Sequence, residues 1–274
     1  MKTLFVSDLD GTLLMSDVKL SENTKKSLCK LLDMGVNFTI ATARSPYSVN
    51  SLFADIPIKI PCILMNGVII YDMCNKHFAE VESINKVAYD KVLSIIRSFR
   101  LSAFVYVVDD DKLISYYENI TTPQMQSFFE ERKKKYGKSF VQTESLSNIP
   151  ADKAVYFTML YPREELESLC KALDLVKDIS YACYEDIYSD GLWYLEIFSK
   201  NATKYNATLK LKKMYDFDRV IGYGDSHNDL PLLEACDEFY AVSNATQELK
   251  SRATAVIGDN NSDSVTKDIQ MRIK

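Results

Sequence analysis

Asp8 and Asp10 stand two positions apart in the run Thr3-Leu-Phe-Val-Ser-Asp-Leu-Asp-Gly-Thr12. One carboxylate can act as a nucleophile and the other as an acid or base around a single bound ion. Gly11 permits the tight turn that such a pair needs. A second polar cluster, Gly224-Asp225-Ser-His-Asn228-Asp229, adds two carboxylates and an amide. Carboxylates gathered at one point repel each other unless a cation sits among them. Hard oxygen donors without Cys or His spacing point to Mg²⁺. Thr42 adds a hydroxyl, and Lys204 can bring compensating positive charge to a phosphate.

These residues are useful only if the elements bring them together. Residues 3–6 are short, apolar and β-rich, as a buried parallel strand is. Ser21 can cap a helix that ends near Gly35, and 36–41 reads as a second strand ending in Thr42-Ala43-Arg44. Ser45 or Pro46 opens another helix to about Phe53. Residues 61–65 form a third strand ending at Asn66-Gly67, and 68–71 continue as a hairpin arm. This alternation predicts an α/β fold, a parallel sheet with helices on both faces. Ligands in such sheets bind beyond the carboxyl ends of the strands, where the polar clusters lie.

Around Val81 the order of elements changes. Helices at 85–99, 121–136 and 162–175 stand among strands at 101–108, 112–117, 154–161 and 179–184. A separate α+β module over 82–187 is expected, inserted into a core of 1–81 and 188–274. From Trp193 the first order returns: a strand at 193–198, a helix at 203–214, and a strand at 219–223 ending in the second acidic cluster. Two short helix and strand pairs follow.

The 274-residue chain is long for one core and short for three. A net charge of -5 and a pI near 5.3 speak against nucleic acid as the main partner, because phosphate backbones need a basic face. No apolar run is long enough to cross a bilayer, and no leader-like segment opens the chain. A membrane partner is therefore not expected, and the location is expected to be cytoplasmic. The six scattered cysteines lack a CxxC pair and read as small buried hydrophobes in a reducing compartment.

The ordered motifs resemble those of the haloacid-dehalogenase superfamily of aspartate-nucleophile phosphohydrolases, most closely its Cof-like subgroup of small sugar-phosphate phosphatases. They are Asp8-Leu-Asp10-Gly-Thr12, Thr42-Ala-Arg44, Asn66-Gly67, Lys204, Gly224-Asp225-Ser-His-Asn228-Asp229 and Asn244-Ala245. The resemblance implies a Rossmann-like core with a mobile inserted cap, and a small phosphorylated metabolite as substrate. Asp8 is implied to be the nucleophile, and Asp10 the acid and then the base. The metal ligands are implied to be Asp8, the Asp10 backbone carbonyl and Asp225. Asp229 is placed behind them, orienting Lys204 or a metal-bound water. Thr42, Lys204 and Asn228 are implied to hold the phosphoryl oxygens, with Arg44 also reaching the substrate.

Three positions depart from the subgroup pattern. Ala43 and Ser264 stand where glycine is usual, and Tyr205 follows the lysine where glycine often does, which could alter the start of that helix. His227 falls at a variable position and reads as a bystander. Two alternatives remain open: a phosphomutase or phosphotransferase of the same superfamily, and a non-catalytic regulatory protein on this fold. The intact Asp8, Asp10 and Asp225 disfavour the second.

Overall fold

The strand that carries the acidic pair is Thr3–Ser7 (β1), and its Leu4, Phe5 and Val6 are all buried. A strand without a polar face needs partners on both edges and cover on both faces. The computed structural model supplies both. It describes residues 1–185 and 191–273, in two units: Met1–Glu80 with Ala202–Lys274, and Val81–Asn201.

In the first unit β1 runs into the tight loop Leu9–Leu13, whose backbone is non-helical at Asp10 and Gly11. Ser21 then caps Glu22–Asp33 (α1), its side chain accepting from the Thr24 N–H at 2.9 Å, and Leu28, Leu31 and Leu32 form the buried face. There follow Asn37–Ile40 (β2), Pro46–Leu52 (α2), Cys62–Leu64 (β3), Ile69–Asp72 (β4) and His77–Val81 (β5), whose last residue is the first of the second unit. The second unit holds Lys86–Ser98 (α3), Phe104–Asp109 (β6), Lys112–Tyr117 (β7), Pro123–Tyr136 (α4) and Ser139–Gln142 (β8). It continues with Ala154–Pro162 (β9), Arg163–Leu173 (α5), Ile179–Glu185 (β10) and Leu192–Ser199 (β11). The chain returns to the first unit with Lys204–Met214 (α6), Arg219–Gly224 (β12), Leu230–Ala235 (α7) and Glu238–Ala241 (β13). Gln247–Arg252 (α8), Ala255–Val256 (β14) and Ser264–Arg272 (α9) complete it.

The first unit is built on a parallel sheet of order β14-β13-β12-β1-β2. Ser7 is level with Tyr223 on one side and Ile40 on the other. The next residues on each strand therefore leave the sheet at one height, which brings Asp8, Gly224-Asp225 and Ala41-Thr42 to the same edge. The third strand, expected in the same sheet, touches β2 through the single parallel bridge Ala41–Ile63 and pairs antiparallel with β4. Three residues suffice for one bridge and a hairpin arm, not for a full ladder.

The second unit is a six-stranded sheet of order β10-β11-β9-β6-β7-β8, antiparallel except for β7 with β8. Phe104, Val105, Phe157, Leu195 and Ile197 are fully buried in it. The strand expected at 193–198 as a return to the core belongs here: β11 lies between β10 and β9, antiparallel to both. The stretch from Glu185 to Leu192 has too few residues for the crossover a parallel neighbour requires, so β11 pairs antiparallel with β10. The expected boundary at 187/188 lies outside the described residues, and the units part between Asn201 and Ala202.

All six cysteines are free thiols. Cys62 is buried as expected. Cys74, in the turn between β4 and β5, is exposed, and the other four are half-buried. Among the described residues no helix is long and apolar enough to cross a membrane.

Candidate active site

Asp8 follows β1 directly, and its backbone N–H donates to the Tyr223 carbonyl at 2.9 Å. The side chain is buried. Lys204, the first residue of α6, reaches it with Nζ 2.6 Å from Asp8 Oδ1 and 2.6 Å from Asp229 Oδ1. All three side chains are almost sealed, with Lys204 1% exposed. Thr203 starts the helix, its hydroxyl accepting from the Asn206 N–H at 3.0 Å. Tyr205 points outward at 37% exposure, so its departure from the family pattern leaves the Lys204 turn intact.

The other Asp229 oxygen, Oδ2, accepts from the backbone N–H of Asp225 at 3.0 Å and of Ser226 at 3.2 Å. Asp229 is thus used up in orienting Lys204 and closing the Asp225 turn. Carboxylate oxygens of Asp8, Asp225 and Asp229 lie within 4.8 Å of one another. One ammonium cannot balance three carboxylates. Burial, then the charges of Asp229 and Asp225, hold Asp8 well above the usual carboxylate range against the pull of Lys204. Burial and Asp229 push Asp225 up to about 6, although Thr12 donates its hydroxyl to Asp225 Oδ1 at 3.2 Å. Burial alone would lower Lys204, but Asp229 and Asp8 outweigh it and hold the ammonium above its ordinary value. The excess of hard oxygen donors fits a divalent cation between Asp8 and Asp225.

Gly11 sits between the two acidic strand ends at φ +77°, and a Cβ there would fall 2.4 Å from Asp225 Oδ2. Only glycine lets this loop approach so closely. Asn244 Nδ2 donates to the Gly11 carbonyl at 2.7 Å, and Asn260 in turn donates its backbone N–H to Asn244 Oδ1 and its Nδ2 to the Leu14 carbonyl. Asn244 stood in the motif pattern without a role. Asn260 carried no sequence signal, because its partners are 16 and 246 positions away.

The Thr42 loop is held from a different side. Its backbone N–H donates to the Ile63 carbonyl, and its own carbonyl accepts from Asn66 at 3.0 Å. The Arg44 carbonyl accepts from Met65 at 3.1 Å. Met65, Asn66 and Gly67 all have positive φ, and a Cβ on Gly67 would lie 2.3 Å from the Thr203 carbonyl. This strained turn therefore fixes the Thr42 loop and the start of the Lys204 helix to each other.

Asp10 is exposed, and both of its oxygens are taken by Arg44: Nε to Oδ2 at 2.7 Å and Nη2 to Oδ1 at 2.6 Å. The structure thus places the Arg44 guanidinium on the second aspartate. Asn228 is exposed, accepting from the Ser226 hydroxyl at 2.5 Å. His227 is exposed, its Nδ1 3.3 Å from Glu248 Oε2.

The chain matches the family of haloacid dehalogenase-like hydrolases over residues 5–269. It is 23% identical over 265 residues to pyridoxal phosphate phosphatase YbhA of Escherichia coli strain K12, covering 94% of each chain. With 5-amino-6-(5-phospho-D-ribitylamino)uracil phosphatase YwtE of Bacillus subtilis strain 168 it shares 25% identity over 281 residues, covering 94% of this chain and 93% of that one. Its fold is similar to the crystal structure of a haloacid dehalogenase-like hydrolase from Bacteroides thetaiotaomicron, with a TM-score of 0.79 at 20% identity and full coverage of both chains. A parallel sheet with a buried Asp–Lys–Asp bridge at its carboxyl edge, and a family match over nearly the whole chain, lead to one conclusion: this chain is a member of the haloacid dehalogenase-like hydrolase family.

Proposed function

We propose that the chain is a Mg²⁺-dependent phosphatase that hydrolyses small phosphorylated metabolites, sugar phosphates among them, through an aspartyl-phosphate on Asp8. The observation that carries this is the sealed Lys204 bridge between Asp8 and Asp229 beside Asp225. It presents one carboxylate in a fixed place with positive charge beside it. The two curated relatives named above are both phosphatases of small phosphorylated compounds.

Asp8 attacks phosphorus, the bond to the leaving alcohol breaks, and Asp10 gives that alcohol its proton. Asp10 then takes a proton from water, which attacks the phosphoaspartate and releases inorganic phosphate and free Asp8. Lys204, with Thr42 and Asn228, stabilises the charge on the phosphoryl oxygens. Asp8, the Asp10 backbone carbonyl and Asp225 would hold Mg²⁺, which neutralises phosphoryl charge when bound. All of these residues belong to the first unit, so the inserted unit is assigned to discrimination among metabolites.

The test separates the two aspartates. Asp8→Asn abolishes turnover of every substrate. Asp10→Asn slows an alkyl phosphate by roughly a hundred- to ten-thousand-fold, because its poor leaving group needs the acid. With an aryl phosphate the first step survives, and aspartyl-phosphate accumulates as a burst of phenol and a mass shift on the Asp8 peptide. EDTA abolishes wild-type turnover and Mg²⁺ restores it. Equal inertness of both variants toward both substrates, or full activity without metal, would refute the assignment. Transfer of the phosphoryl group to a second sugar phosphate in place of water would show a mutase.

A further inference from the structure

The Asp10 carboxylate is half exposed, and a solvated aspartate at a loop would ordinarily sample several rotamers. Here it is fixed. The guanidinium of Arg44, 22% exposed, meets both carboxylate oxygens in a fork, a geometry only arginine can offer. Arg44 is itself anchored at three further points. Its Nη1 donates to Ser48 Oγ at 3.0 Å in the first turn of α2, its backbone N–H donates to Thr42 Oγ1 at 3.2 Å, and its carbonyl accepts from Met65. The fork is thus built on the same loop that carries Thr42, and it is aimed by Ser48 in the first turn of α2.

We infer that Arg44 is a positioning residue for Asp10, aimed by Ser48, and that it acts on the leaving-group step through Asp10 and not by binding the phosphoryl group. This rests on the assignment of Asp10 as acid and base made above. A fork that occupies both oxygens must open to one contact when Asp10 carries the proton it donates. Arg44 therefore keeps the carboxylate within reach between turnovers and yields one oxygen to the leaving group during them.

The test compares Arg44→Ala, Arg44→Lys and Ser48→Ala with the Mg²⁺-loaded wild type on an alkyl and an activated aryl phosphate. Arg44→Ala should lower kcat on the alkyl phosphate by about ten- to a hundredfold, a part of what general acid catalysis supplies. The first-step burst with the aryl phosphate should change less than about threefold, because its phenol leaves without a proton. Arg44→Lys, which can meet only one oxygen, should fall between Arg44→Ala and wild type. Ser48→Ala should show the same substrate selectivity at a few-fold size. In the Asp10→Asn background, loss of Arg44 should add nothing, since residues acting as one unit are not additive. The affinity for inorganic phosphate, measured by calorimetry, should stay within about twofold.

A tenfold or greater loss of phosphate affinity in Arg44→Ala, with equal damage on both substrates, would mean that Arg44 binds the phosphoryl group, and would overturn the inference. So would an Arg44→Ala effect that persists undiminished in Asp10→Asn. If Asp10→Asn itself treats alkyl and aryl phosphates alike, the assignment of Asp10 falls and the role of Arg44 falls with it. If Asp10→Asn is selective and Arg44→Ala is not, only the role of Arg44 falls.

Discussion

Replacing Asp225 by asparagine should stabilise the metal-free protein, most strongly near neutral pH and progressively less as pH falls toward about 4. Asp225 faces Asp229 and Asp8 with one ammonium among them, and burial and Asp229 raise it from 3.8 to about 6. At about 1.36 kcal/mol per pKa unit this corresponds to about 3 kcal/mol. The carboxylate is half-buried, so solvent screening reduces that to about 1–2 kcal/mol. The sign follows from the direction of the shift. A carboxyl raised in the folded state favours folding below its unfolded value, near pH 4, and loses that contribution as pH rises through about 6. In EDTA, Asp225→Asn should therefore melt about 2–8 °C above wild type at pH 7.5 and keep only about a third of that advantage at pH 4.5, which still lies above the unfolded value. Mg²⁺ should raise the wild-type Tm more at pH 7.5 than at pH 4.5, because at low pH it must displace a proton. Asparagine should remove most of that metal effect. Scanning calorimetry at both pH values, with EDTA and with Mg²⁺, checks all of this. A variant that melts at or below wild type at pH 7.5 without metal, or a difference that does not change with pH, would refute the account of the carboxylate cluster.

Two further outcomes are expected. Gly67→Ala puts a Cβ 2.3 Å from the Thr203 carbonyl at φ +104° and should cost about 2–4 kcal/mol in denaturant unfolding, with kcat falling as the Lys204 turn shifts. Lys138 is buried in the second unit, 3.9 Å from the centre of the Tyr106 ring, and burial holds its ammonium well below the ordinary value. A lysine lowered by folding destabilises below its unfolded value near 10.5, so Lys138→Met should raise the Tm at pH 7 and lose that advantage as pH approaches 10.5.

The alternating order of strands and helices was legible in the sequence because local pattern determines it. Residues 4–6 are uniformly apolar, and Ser21, Gly35 and Pro46 punctuate the helices. From that, the parallel sheet and the gathering of acidic residues at its carboxyl edge could be expected. The residue types of the site were legible for the same reason: a buried strand has no packing use for an aspartate at its end. The membership of β11 depended on something a periodic pattern does not contain. Its alternation suits either sheet, and only the short link from Glu185 to Leu192 and the pairing with β9 and β10 place it in the second unit.

Tertiary structure alone decided which charges meet. The motif resemblance pairs Lys204 with Asp229 or leaves Asp229 to a metal-bound water, but that Lys204 bridges Asp8 and Asp229 at 2.6 Å from each is in no local pattern, because those contacts span 196 and 25 positions. The level register of β1 with β12 brings Asp8 beside the turn that carries Asp229, and the start of α6, packed against Gly67, sets Lys204 between them. It likewise decided that Arg44 turns its fork to Asp10, since an arginine at a helix start can reach several acceptors and Ser48 selects one. Side-chain type is local information, whereas the partner of a charge depends on how strands from distant parts of the chain end against one another.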